Sequence, residues 1–222
     1  FGLLYQRLGL IANPDAETLS FTASRRATPG GEGQAAATYT LGAVAGKRAR
    51  AGQQDGERAV DALAQALDAA PDSASCEALL AALGNTQLDR TGPAIRARLV
   101  DTSERVRRQA AYALRRIHTP AATTGLVAAA TDESAAVQQG ALVALRDRPV
   151  TPAQLAALAA AVRTRRLDRS AADLLVDLAA AAPAEAREAA REVLTAVLER
   201  SDILTRTKAR ARVVRDELPP AQ

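Results

Sequence analysis

Apolar residues recur along this chain at the spacing of one buried helix face. Val106, Ala110, Ala113, Leu114 and Ile117 follow an i, i+4, i+7, i+8, i+11 pattern, and Val137, Ala141, Ala144 and Leu145 repeat it one unit later. The same reading predicts helices over 2–11, 15–27, 34–49, 57–70, 153–165, 169–181, 184–200 and 206–217. Pro93 and Pro120 open shorter helices, at a position where proline's missing N–H leaves no hydrogen bond unmade. Gly84-Asn85 reads as the stop of the helix through Leu79 and Leu83. Asp101 with Glu104 reads as a capping box, with Asp132 at the equivalent place one unit on. Two Gly-rich stretches, 28–33 and 51–56, read as exposed loops.

Self-similarity then sets the architecture. The Ala-Leu pairs Ala82-Leu83, Ala113-Leu114 and Ala144-Leu145 recur every 31 residues, and Leu178 follows after 33. Tyr39-Thr-Leu-Gly42 fits the same position of an earlier unit. A fixed period of this length marks a stack of helical pairs, each too small to bury its apolar face alone. The expected fold is all-α: a right-handed α-solenoid of stacked antiparallel helix pairs, with a period of about 31 residues, resembling HEAT-like repeats. It is read as one domain over 1–222 of a longer chain, most regular over 75–182, with capping segments to be sought at Phe1–Leu10 and Val213–Leu218.

Composition narrows the core. Hydrophobic residues make up 48% of the chain but aromatics only 2%, with no Met and no Trp, so Ala, Leu and Val must fill the interior. Ala and Leu are strong helix formers, and Ala-lined helices approach closely. The abundance of Ala and Arg points to a high-GC bacterial source. The longest apolar runs are broken by polar residues before reaching the ~20 that span a bilayer, so the chain is not expected to be transmembrane.

Charge is nearly balanced, with 29 basic and 25 acidic residues for a net +4. The bases form two clusters that are candidates for a partner or anion-binding surface. The first is Arg105, Arg107, Arg108, Arg115 and Arg116, where Tyr112 is the sole neighbouring aromatic and its spacing suggests partial burial. The second surrounds Arg206 and Arg210 and places Lys208, Arg212 and Arg215 on one face. The plainer reading of both is solubilising surface and ion pairs between repeats. Nucleic-acid readers add stacking aromatics to such charge, and few are present here.

Candidate chemistry is sparse. The lone histidine, His118, is expected to cap a helix end or face solvent. The lone cysteine, Cys76, reads as a small core residue, and one Cys with one His cannot close a zinc site. Glu185, Glu188 and Glu192 alternate with Arg187 and Arg191 as on a solvated helix face. Gly30, Gly31 and Gly33 lack the preceding strand a dinucleotide site requires. No catalytic, cofactor-binding or metal-binding residues are assigned, and the chain is read as non-enzymatic.

The stretch Leu79–Val162 also resembles the helical domain of the large lipid transfer proteins of the vitellogenin family. The residues that carry this are Leu80-Ala-Ala-Leu-Gly-Asn85, Val106 to Ile117 with its Tyr112-Ala-Leu-Arg115 run, Ala141-Leu-Val-Ala-Leu145 with Pro149, and Gln154-Leu-Ala-Ala-Leu158. The resemblance implies an arched helical layer that frames lipid-binding sheets, contacts protein partners or flanking domains of the same protein, and holds lipid through the larger assembly. It also implies an extracytoplasmic site of action. The expected function is a non-enzymatic scaffold and protein-interaction solenoid, framing a lipid-carrier assembly in its sharpest version. The alternative is a basic HEAT-like solenoid that binds nucleic acid. A tailoring lyase of HEAT-like form lacks an identifiable acid–base pair.

Overall fold

A computed structural model describes residues 8, 10–27 and 33–219. Among these residues the regular structure is helical throughout: α1 (Ala16–Ala27), α2 (Gln34–Arg50), α3 (Gln54–Asp68), α4 (Ser73–Thr86), α5 (Gly92–Ala97), α6 (Glu104–Leu114), α7 (Pro120–Ala129), α8 (Ala135–Leu145), α9 (Pro152–Thr164), α10 (Arg169–Ala180), α11 (Arg187–Glu199) and α12 (Thr205–Glu217), with short 3-10 turns at 89–91, 98–100 and 184–186. Two compact units divide the chain between Thr119 and Pro120.

In the first unit, α1–α2, α3–α4 and α5–α6 form successive helical pairs, and the second helices α2, α4 and α6 pack side by side. The recurring leucines sit at the heart of this packing: Leu41, Leu83 and Leu114 are all buried. Small residues set the distance. A Cβ on Gly42 would stand 2.7 Å from Ala82 Cα, and one on Gly46 2.5 Å from Thr86 Cα. Gly42 and Gly46 are one helical turn apart, so both fall on the α2 face that meets α4. Gly84 repeats the device against α6, where a Cβ would meet Ala113 Cα at 2.8 Å.

In the second unit, α7 packs on α8 and α11 on α12, and α10 lies against α8, α11 and α12. Here α9 and α11 pack closely through alanines and valines, including Ala159, Val162, Ala190 and Val193, all buried. Leu145 and Leu178 lie in the core of α8 and α10, as their place in the period predicts. The last helix, α12, buries Thr207 and Ala211, and Leu218 is buried just past its end, while most of its charged residues face outward. Each unit by itself is thus an α-solenoid stack of helical hairpins.

Helix ends follow recognisable chemistry. Asp72 accepts the Ser75 N–H at 2.7 Å, and Asp168 accepts the Ser170 N–H at 2.9 Å. Thr151 and Gln154 form a reciprocal capping box at the start of α9, with Pro152 in the first turn. Pro93 and Pro120 do open α5 and α7.

Several local expectations change. The helix through Leu83 does not stop at Gly84-Asn85 but runs to Thr86 and ends on Gln87, which takes the left-handed conformation (φ 55°). Gly84 is there for the approach of α6, not for termination. The α6 cap is Ser103 rather than Asp101; Asp101 instead accepts the Ser103 N–H at 2.8 Å, and Asp132 treats Ser134 identically. Helix α3 begins at Gln54, leaving 51–53 as the connection. In 184–200 the first residues form a 3-10 turn and α11 starts at Arg187. Helix 2–11 and the Phe1–Leu10 cap fall outside the described residues apart from Leu8, Leu10 and Ile11, and of the 28–33 loop only Gly33 is described.

Candidate functional site

The two predicted basic clusters fall on different units, and most of their charge has structural partners. Arg107 is buried and donates to the backbone carbonyls of Asp101 and Thr102, closing the turn that leads into α6. Arg105 Nε lies 2.8 Å from Glu77 Oε1, as an ion pair without hydrogen-bond alignment, and Arg108 reaches the other Glu77 oxygen at 3.9 Å. These two arginines of α6 therefore clamp onto α4. Arg115 and Arg116 are exposed and share an open depression with Gln87, Asp89 and His118. His118 lies four residues beyond the end of α6, in the connection to Pro120, so it is exposed without capping that helix.

On α12, Arg206 and Arg210 pair with Asp173 and Asp177 of α10, and Thr207 donates to Asp173 at 2.8 Å. Arg215 pairs with Asp216 at 3.0 Å. Lys208 is half-buried and Arg212 exposed. Arg191, read as part of an ion-paired helix face, donates to the Leu218 carbonyl instead.

A common rule underlies these contacts: polar side chains tie each helical pair to the next. In the first unit Arg90 grips Glu57 and Asp61, Arg98 meets Asp68 at 3.1 Å, and Arg50 donates to the Thr86 carbonyl. Arg48, half-buried, donates to both Asp55 oxygens and to the Pro14 carbonyl, which holds the Asp55 carboxyl below the usual aspartate range. In the second unit the buried Gln138 bridges three groups: it donates to the Asp132 and Arg166 carbonyls and accepts the Asp168 N–H. Arg200 donates to the Val162 and Arg165 carbonyls and pairs with Asp202.

Against that rule one segment stands out, and the sequence reading passed over it. Arg165 and Arg166, in the α9–α10 turn, and Arg169, at the start of α10, are exposed, and their guanidinium groups have no partner among the described residues. The signal was visible as four arginines in the seven residues Arg163–Arg169.

Large apolar side chains are exposed at scattered positions among the described residues, including Leu10, Val100 and Val213. Tyr39 on α2 and Tyr112 on α6 are 39% and 45% exposed, so Tyr112 is partly buried, in keeping with its spacing. A groove of about 440 Å³ lies between α1, α2 and α4, lined by Thr38, Ala74, Ala78 and Leu79. Cys76 is buried, and burial pushes its thiol up from the ordinary value. Among the described residues no three His, Cys, Asp or Glu side chains converge to hold a metal ion, and no helix is long and apolar enough to cross a membrane.

No curated protein matches the chain. A crystal structure of an engineered protein is similar to all of this chain at 19% identity and a TM-score of 0.49, and the chain spans 65% of that protein's length. Nothing in these comparisons supports the vitellogenin resemblance, lipid transport or a bacterial source. Residues 60–146, from α3 into the turn after α8, match the family of HEAT repeats, so that this chain carries a HEAT-like helical repeat.

Proposed function

We propose that this chain is a non-enzymatic scaffold whose helical repeats present a surface to a protein partner. The observation that carries the reading is the pair Tyr39 and Tyr112, two half-exposed aromatics on second helices of the same unit in a chain with very few aromatics. Tyrosine offers a large, rigid contact area with a polar tip, and it is enriched among the residues that dominate interface energies. Stacked helices tied by polar staples hold such side chains in fixed relative positions, so that little conformational entropy is lost on binding.

The narrower reading, a framing domain in a lipid-carrier assembly, rests on the residues of Leu79–Val162 alone. The nucleic-acid reading loses its basis in the first cluster, because Arg105, Arg107 and Arg108 are engaged by Glu77 and by backbone carbonyls.

The test is cross-linking and affinity capture of the natural full-length protein from its source, with lipid extraction in parallel. A protein partner whose capture falls in the Y39A/Y112A variant is the expected result. Capture of lipid without protein would favour the carrier reading. Capture of neither would sink the scaffold.

A further inference from the structure

The second unit carries an edge built from its intra-pair turns. Gln138 on α8 fixes the α9–α10 turn by donating to the Arg166 carbonyl at 2.9 Å and accepting the Asp168 N–H at 2.9 Å. Arg200, at the α11–α12 turn, fixes the same turn from the other side through the Val162 and Arg165 carbonyls at 2.6 and 2.7 Å. The backbone of 165–168 is therefore clamped by both neighbours, while the side chains of Arg165, Arg166 and Arg169 are left to solvent.

Three features set this turn apart from the other basic sites. Arg163 meets Glu199 at 3.1 Å and Arg210 meets Asp177, each an acid of the adjacent pair, whereas the three arginines of this turn meet none among the described residues. Here the acid within the turn, Asp168, is occupied by the Ser170 N–H and hydroxyl. Arg169 stands in the first turn of α10, where the helix dipole disfavours a cation. Clustering three like charges at such a place costs stability, and a rigid backbone keeps them from spreading apart. An open depression of about 480 Å³, lined by Arg163, Glu199, Arg200 and Asp202, adjoins the turn, and the half-exposed Leu204 follows it.

We propose that the Arg165–Arg166–Arg169 turn docks an acidic segment of a protein partner; this names the partner chemistry of the scaffold reading above and rests on it. Charge complementarity identifies the occupant. Carboxylates reaching the three guanidinium groups supply the opposite charge and accept charge-assisted hydrogen bonds from them. A nucleic acid fits worse, because no aromatic lies in 163–170 to stack a base.

The probe is a fluorescein-labelled oligo-glutamate peptide, followed by anisotropy on the full chain, with an oligo-thymidine of equal charge alongside. The expected result is peptide binding that weakens with salt and falls about tenfold in R165Q/R166Q/R169Q, the size that three exposed charge contacts supply. The charge-preserving R165K/R166K/R169K variant retains most of the binding. Thermal melting by circular dichroism confirms that both variants stay folded. Peptide binding that is absent, or equal in wild type and the glutamine variant, overturns the proposal, as does tighter binding of the oligonucleotide at this turn. Partner capture from the source separates the two readings: equal capture by wild type and the glutamine variant removes this docking site and leaves the scaffold standing, whereas no capture by the wild type removes the scaffold itself.

Discussion

Gly84 packs directly against Ala113, with no room between α4 and α6 for even a methyl group: a Cβ on Gly84 would lie 2.8 Å from Ala113 Cα and 2.9 Å from its carbonyl oxygen. In a helix interior alanine is normally favoured over glycine by about 1 kcal/mol. Gly84→Ala reverses that preference, because the contact is with backbone and the whole helix must shift. A net destabilisation of about 1–3 kcal/mol is expected, as for other overpacked sites. Urea denaturation checks it. Gly42→Ala, facing the Ala82 backbone, costs at least as much, whereas Gly52→Ala meets nothing within 4 Å and carries only the strain of its positive φ. Equal midpoints for wild type and Gly84→Ala would contradict the close approach.

Gln138 serves the second unit as a single-residue clamp. Truncation to alanine leaves the Asp168 N–H and two carbonyls without their partner, and an unsatisfied buried polar group costs about 1–3 kcal/mol. Gln138→Ala is expected to lower the melting temperature, and amide exchange at Asp168 is expected to speed up. Unchanged protection there would show that the bridge carries no weight.

The arginines divide into two energetic groups. Arg48→Ala removes donors to Pro14 and Asp55 at once, with an expected loss of about 1–3 kcal/mol. Arg212→Ala, at an exposed position of α12, is expected to change stability by less than about 0.5 kcal/mol. Chemical denaturation of the two variants side by side tests the division.

Acid stability follows from the aspartates. Asp15, Asp55, Asp72, Asp168 and Asp202 all titrate below the ordinary value of 3.8, chiefly through hydrogen bonds from Thr18, Arg48, Ser75, Ser170 and Arg200 respectively. A folded-state pKa lower than the unfolded one means that the unfolded chain binds protons first. The stabilisation is therefore complete above the ordinary aspartate value and is lost as pH falls through it and past the lowered folded values. Melting temperature is expected to hold near neutrality and to drop on acidification into that range. In Asp72→Asn and Asp168→Asn the drop is expected to be shallower. A melting temperature that rises on acidification would contradict the cap assignments.

Much of the fold is legible along the chain because helical periodicity is a local property. The 31-residue spacing of Leu83, Leu114 and Leu145 identifies the repeat, and Pro93 and Pro120 mark helix starts because proline's missing N–H restricts where it sits. Gly84 shows where local reading fails. A glycine near a helix end reads as a stop, and only the position of Ala113 on the neighbouring helix reveals that it is an approach point. Charge misleads for the same reason. Arg105 and Arg107 are adjacent to other bases in sequence, yet Glu77 of α4 pairs with Arg105 and the carbonyls of the turn just before α6, on Asp101 and Thr102, take Arg107. By contrast, the density of Arg163–Arg169 is plain in the sequence, but its significance depends on which arginines find an acid.

The sequence by itself determined that the chain is helical, repeated, and built on an Ala/Leu/Val core, because those properties follow from side-chain spacing and propensity within each segment. Tertiary structure alone decided which glycines are contact points, which arginines are staples, and that Arg165, Arg166 and Arg169 stay exposed without an acid. Those outcomes depend on distances between residues roughly thirty positions apart, set by how one helical pair stacks on the next.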